Sequence, residues 1–515
     1  MKFHIYLLLI IVIGLGGCKN QLDIADPNRL SSDNYYQSEE EAVAAVDAIY
    51  NALIIDGMYQ RIVPIYNDGR GDELSCRSPW TFMTGFSAFT LPATDGALEI
   101  FWAGHYIMVS RANQALEQIA TIEDVDSELR ERLYGQAYFL RALAYFNLAN
   151  THEQVPIILE TPKNQDEFYP SNEGVTKEMV YEQVKSDLNE AISRLPVNYN
   201  GVSGLDQGQA GRATKGAAQS LLGTVYLYEG DYASAEPLFA SVINSGEYQL
   251  AENYADLFTQ DPAVEASNPG RIFWAEFTTS TASEYNWGGD PNVNWRQFLA
   301  VTPTYSQGDF FDFFPTEFLY NEMREERTID GGLDPRFSAT LLAYEPEEGD
   351  TTAYGVSWAE RGYAPEDYFI RKYTNASDGS DAFSSGFNYH IIRYADVLLM
   401  YAECLANNGN IAEAANYVQQ VRDRANMPDR AAEFAGYSLD QFMDQIEHER
   451  IVELAIEGKR WYDIVRWGYL DDAAELELLK NHDSEFETFA PNRTVIPIAQ
   501  TELDRNPNLV GNQAN

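Results

Sequence analysis

The chain has 515 residues, 45% of them hydrophobic and 13% aromatic, which is enough to bury a large core and by length alone allows two or three domains of about 150 residues. Its 35 basic and 79 acidic residues give a formal charge of −44. A surface of that sign repels phosphate backbones and anionic headgroups, which argues against nucleic acid as a partner and against membrane attachment through basic residues.

Residues 1–17 read as an export signal. The apolar run over 5–13 is nine residues long, far short of the roughly 20 needed to cross a bilayer, and stands behind a single charge at Lys2. Gly16 and Gly17 give a peptidase access to the backbone, Leu15 completes a lipobox, and Cys18 offers the thiol that receives a diacylglyceryl group. An ordinary secretory signal with a chance cysteine is the competing reading. Acylation at Cys18 supplies the several chains that stable anchoring needs. A polar tether over 18–32 follows, and 33–515 reads as one domain. Of the other cysteines, Cys76 falls in a polar loop and Cys404 in a helical segment, so two free thiols are expected rather than a disulfide.

The domain opens helically. Ser38 and Glu41 form a capping box, after which Ala42, Val46, Ile49 and Leu53 recur at helical spacing up to Gly57. A second helix is expected over 97–119 and a third over 131–150. Between 214 and 246 the residues Leu222, Gly223, Tyr226, Ala235 and Phe239 fall at tetratricopeptide offsets, with Gly230-Asp231 as the turn. A looser copy spans 393–426, with Asn408-Gly409-Asn410 as its turn, and a split one spans 131–195. The fold class is therefore mostly α, a tetratricopeptide-like helical scaffold carrying a long loop-rich insertion. That insertion, about 250–390, is dense in turn pairs and aromatics and is the expected ligand-binding region; helices and a tail over 438–515 close the chain. Within the insertion, 271–277 alternates like a buried strand, and Trp274 reads as core.

Several segments together carry a family likeness. They include Arg111-Ala112-Asn113, Arg141-Ala142-Leu143-Ala144-Tyr145-Phe146, Asp334-Pro335-Arg336-Phe337, Lys372-Tyr373 and the run from Ile392 to Glu403. The most specific are Glu449-Arg450, Glu453-Leu454, Glu457-Gly458, Arg460-Trp461, Asp463 and Arg466-Trp467-Gly468, followed by Ile496-Pro497-Ile498. In this order the chain resembles the SusD/RagB family of Bacteroidetes nutrient-uptake lipoproteins along nearly its whole mature length. The charges of the last group are helical neighbours, Glu449 to Glu453 and Arg450 to Glu453, and read as a paired cluster locking two helices rather than as catalytic residues.

The resemblance implies a SusD-like α superhelical fold and a lipid-anchored protein on the outer face of the outer membrane. It also implies capture of an oligosaccharide or other nutrient for a SusC-type TonB-dependent transporter. A sugar site needs flat aromatic rings with polar flanks. Two loops fit: 68–89, with Asp72, Arg77 and Trp80 followed by Phe82, Phe86 and Phe89, and 284–307, with Tyr285, Trp287, Asn292 and Trp295. No catalytic residue, metal or cofactor is expected. His448 lacks the second histidine of a zinc-protease motif, and 68–73 lacks a full calcium loop. Two competing readings are a surface glycoside hydrolase, which would use a carboxylate pair, and a repeat scaffold that binds only proteins.

Overall fold

The computed structural model describes residues 36–277, 312–374 and 387–515. Cys18 and the tether lie outside those residues.

The Ser38 side chain accepts from Glu41 N–H and the Glu41 carboxylate accepts from Ser38 N–H, so the capping box starts helix α1, Glu39–Asn51. The helix ends short of Gly57. The chain there turns through 310 and π geometry beneath a later helix, and a Cβ at Gly57 would overlap the carbonyl oxygen of Ile100. Helix α2, Ile62–Gly69, strand β1, Leu74–Cys76, and helix α3, Thr81–Ser87, follow. Cys76, expected in a polar loop, is buried on β1, where the pairing of its backbone removes it from solvent. Both Cys76 and Cys404 are free thiols.

Long helices α4, Gly96–Ile119, and α5, Ser127–Thr151, then pack on α1. Helix α5 is buried nearly all round in its second half. Side chains of Thr176, Thr214 and Asp231 cap α6, Lys177–Arg194, α7, Lys215–Tyr228, and α8, Tyr232–Asn244. The α7–α8 hairpin closes tightly because position 223 is glycine: a Cβ there would stand 2.7 Å from the Phe239 ring. Helix α8 packs against α10, Tyr394–Asn407, which pairs in turn with α11, Ile411–Arg424. The second and third hairpins are thus neighbours in space although some 150 residues separate them in sequence. The protein is mostly helical, a tetratricopeptide-like scaffold with an insertion between these hairpins.

The insertion contributes short strand pairs. Strand β2, Arg271–Ala275, runs antiparallel to β6, Tyr389–Arg393; β3, Phe313–Pro315, runs antiparallel to β1; and β4, Leu341–Ala343, pairs with β5, Tyr368–Ile370. The turn of helix α9, Pro335–Thr340, precedes β4, and α12, Leu439–Leu454, and α13, Arg460–Arg466, close the frame.

The family-signature charges meet in a buried network. Arg336 joins Asp334, Glu449 and Glu453; Arg393 joins Glu453 at 2.9 Å and Glu457 at 2.6 Å; and Lys372 Nζ reaches Glu457 at 3.0 Å. Arg450 pairs with Asp396 at 2.9 Å and Asp463 at 2.7 Å rather than with Glu453 on its own helix. The charges therefore tie β6, α9, α10, α12 and α13 together. Two locked helices were expected, but intrahelical spacing cannot show the longer-range partners. Burying so many ions costs desolvation, and the close pairing offsets it; removing one partner leaves a charge stranded.

Candidate ligand-binding site

The segment from β1 to the end of α3 divides into a buried half and an exposed one. On the exposed side, Arg77 donates its backbone N–H to Asp312 O at 2.8 Å and lays its guanidinium 4.4 Å from the ring centre of Phe314. Trp80 is 37% exposed, its backbone N–H bonded to Ser78 Oγ at 3.1 Å and its ring edge-on to Phe82. An exposed indole thus follows an exposed guanidinium on the short segment that leaves the β1–β3 pairing.

The buried half holds the exposed one rigid. Phe82 lies under the Arg61 guanidinium, Phe86 packs edge-on against Tyr66, and Phe89 meets Trp461, Phe486 and Phe489. Asp72, expected at a ligand's rim, is fully enclosed. It pairs with Arg460 at 2.6 Å and with His482 Nδ1 at 2.8 Å, so it anchors the loop and has no surface to offer a ligand. Burial alone would raise its carboxyl, but Arg460 and His482 outweigh burial and hold it well below the usual carboxylate range. Its neighbour Glu73 is pushed up to about 8 by burial, against the pull of Arg460. Asp68 is raised to about 7 by burial, although Gly458 N–H donates to it at 2.6 Å.

Of the residues expected to touch ligand, the structure leaves Arg77 and Trp80 exposed on one short segment and withdraws Asp72. Tyr285, Trp287, Asn292 and Trp295 lie outside the described residues. Sequence reasoning missed Phe314, which carries the Arg77 guanidinium. Its signal was the aromatic run at 310–314 just before Pro315, a pattern suited to a short edge strand. Trp274 is half-buried rather than core, because register shifts on either side of Phe273 break the alternation of β2. The segment at Arg77 and Trp80 is equipped to bind a planar or ring-shaped ligand by stacking and hydrogen bonding. The carboxylates of its own segment, Asp72 and Glu73, are both enclosed.

A family model described as the SusD family matches residues 272–514, and one described as starch-binding associating with outer membrane matches residues 26–227. SusD-like protein P2 of Formosa agariphila is 26% identical, covering 99% of this chain and 99% of its own. A solved SusD superfamily protein of Bacteroides vulgatus has the same fold, with a TM-score of 0.79 at 24% identity over 93% of this chain and 100% of its own. A solved laminarin binding SusD-like protein is similar at 28% identity and a TM-score of 0.71, covering 93% of this chain and 99% of that one.

Proposed function

The chain belongs to the SusD family, and on that premise we propose that it captures an oligosaccharide at the outer face of the outer membrane. It then delivers the sugar to a SusC-type TonB-dependent transporter and performs no reaction of its own. Lipid on Cys18 is the anchor in this reading, and the helical hairpins are the face offered to the barrel. The observation that carries the proposal is the exposed Trp80 on the same short segment as Arg77, mounted on a backbone that buried ion pairs hold in place. A sugar ring has an apolar face to stack on the indole and hydroxyls to accept from the guanidinium. Glycan binding by a relative at 28% identity supports the ligand class.

The test is affinity electrophoresis of the purified chain in gels containing laminarin, starch or another uncharged glycan, with reducing ends assayed alongside. Retention without product is expected, together with capture of a barrel transporter from outer membranes of the source cells. Release of reducing ends would replace binding with hydrolysis, and capture of the barrel without glycan affinity would replace it with scaffolding.

A further inference from the structure

Away from Trp80, the half-buried Trp274 stands between two adjoining hollows. The larger, about 420 Å3, is walled by the end of α1 and the turn after it, by the 209–212 segment and by the indole; the smaller, about 240 Å3, lies on the other side of the same segment. Arg271 lines only the smaller one, with its guanidinium 4.4 Å from the indole ring centre. One face of Trp274 is thus covered by a cation, while the ring also borders the larger hollow, where Leu53 and Ile54 supply the apolar wall.

The rim of the larger hollow is polar and already fixed. Arg212 is held by Asp47 at 2.7 Å, by Gln136 at 2.9 Å and by Gln209 at 2.6 Å, while Tyr50 receives Ala213 N–H at 2.8 Å and donates to Gln136. These side chains need no rearrangement to present a surface, which keeps the ordering cost of binding low. Glu276 differs from them: it is exposed and makes no hydrogen bond or ion pair among the described residues, so its carboxylate is free to accept. The volume falls within the range of small-molecule sites, about 300–1,000 Å3.

We propose that this hollow is a second saccharide-binding subsite, one that takes an uncharged sugar unit. The sugar stacks on Trp274, and its hydroxyls donate to Glu276, a charge-assisted bond stronger than one to a neutral acceptor. With Asp47 neutralised by Arg212, the carboxylate of Glu276 on the rim repels uronates and sulfated sugars, as does the −44 charge of the whole chain. For its ligand class the subsite rests on the uptake reading above. Its position is independent of Trp80.

Fluorinated tryptophan in the full chain lets the two indoles be read separately by fluorine NMR, with Trp274→Phe and Trp80→Phe assigning their resonances. Laminaribiose, cellobiose and maltose are titrated one at a time, with digalacturonate as the charged comparison at equal ionic strength. A saturable shift of the Trp274 resonance is expected with at least one uncharged disaccharide, unchanged in Trp80→Ala and absent with digalacturonate. Glu276→Ala should weaken that binding at least about tenfold, the loss of one hydrogen bond to a charged group. The resonances of the buried Trp461 and Trp102 report that each variant is folded. A shift of Trp80 alone overturns the subsite and leaves the uptake reading standing. A shift of Trp274 alone supports the subsite and removes the ledge at Trp80 from that reading. If neither moves with any sugar, both fall.

Discussion

Within one short segment, Trp80 and Phe86 have opposite fates, and substitution separates them. Phe86 is fully buried against Tyr66, so Phe86→Ala leaves a cavity and should cost about 3–5 kcal/mol, read as a lowered urea midpoint. Trp80 is 37% exposed with its ring edge against Phe82, so Trp80→Ala should cost only about 1 kcal/mol by that midpoint while weakening glycan binding about tenfold, or about 1.4 kcal/mol. If Trp80→Ala unfolds the chain or leaves affinity untouched, the residue is not a binding platform. Asp72 shows what a local reading misses. It stands near Arg77 in sequence and looks like part of the same polar rim, but its partner is Arg460, 388 positions on. Only the fold reveals that pairing.

At the scale of elements, what was legible is what local spacing encodes. Ser38 with Glu41 announced α1, the small residues around Gly223 announced the α7–α8 hairpin, and Asn408-Gly409-Asn410 marked the turn between α10 and α11. Bulges are not encoded this way, so the alternation over 271–277 predicts a core Trp274 where the structure has it half-buried. Nor are tertiary ion pairs, so helical spacing points Arg450 to Glu453 where the structure pairs it with Asp396 and Asp463. The hairpin reading makes a specific demand: Gly223→Ala pushes a methyl against the Phe239 ring 2.7 Å away, and overpacking of this kind should destabilise by about 1–3 kcal/mol in a thermal melt. A gain in stability, the usual result of Gly→Ala in an open helix, would mean that the two helices are not in this close contact. The network makes a second demand. Arg393 faces Glu453 and Glu457 in the interior, and Arg393→Ala leaves Glu453 with Arg336 and Arg424 and Glu457 with Lys372 alone, at a cost of about 3 kcal/mol, the low end for breaking a buried pair. A urea midpoint within error of the parent would show that these ions are hydrated rather than buried.

Across the whole molecule, buried ion pairs tie Asp72 to Arg460, Asp396 and Asp463 to Arg450, and Glu453 and Glu457 to Arg336, Arg393 and Lys372, so their titration should be a property of the fold rather than of any one element. Burial acts to raise the carboxyls of Asp72, Asp396, Glu453 and Glu457, but their cationic partners outweigh it and hold all four below the usual range, Glu453 at about 2. In the unfolded chain these groups titrate near 4, so their stabilisation is fully present above that value and is lost as pH falls through the folded values. The expected result is one cooperative loss of helical circular dichroism below about pH 4, as the unfolded chain takes up protons that the folded chain refuses. The cause can be distinguished from repulsion among the many surface carboxylates, because salt screens exposed charges over about 10 Å at 0.1 M and buried pairs much less. Acid midpoints measured at low and high sodium chloride should therefore coincide, and Glu453→Gln, which frees Arg336, Arg393 and Arg424 from a shared partner, should destabilise the chain at neutral pH and blunt the acid dependence. A midpoint that moves strongly with salt would assign acid unfolding to the surface and leave the buried pairs without the structural role argued for them.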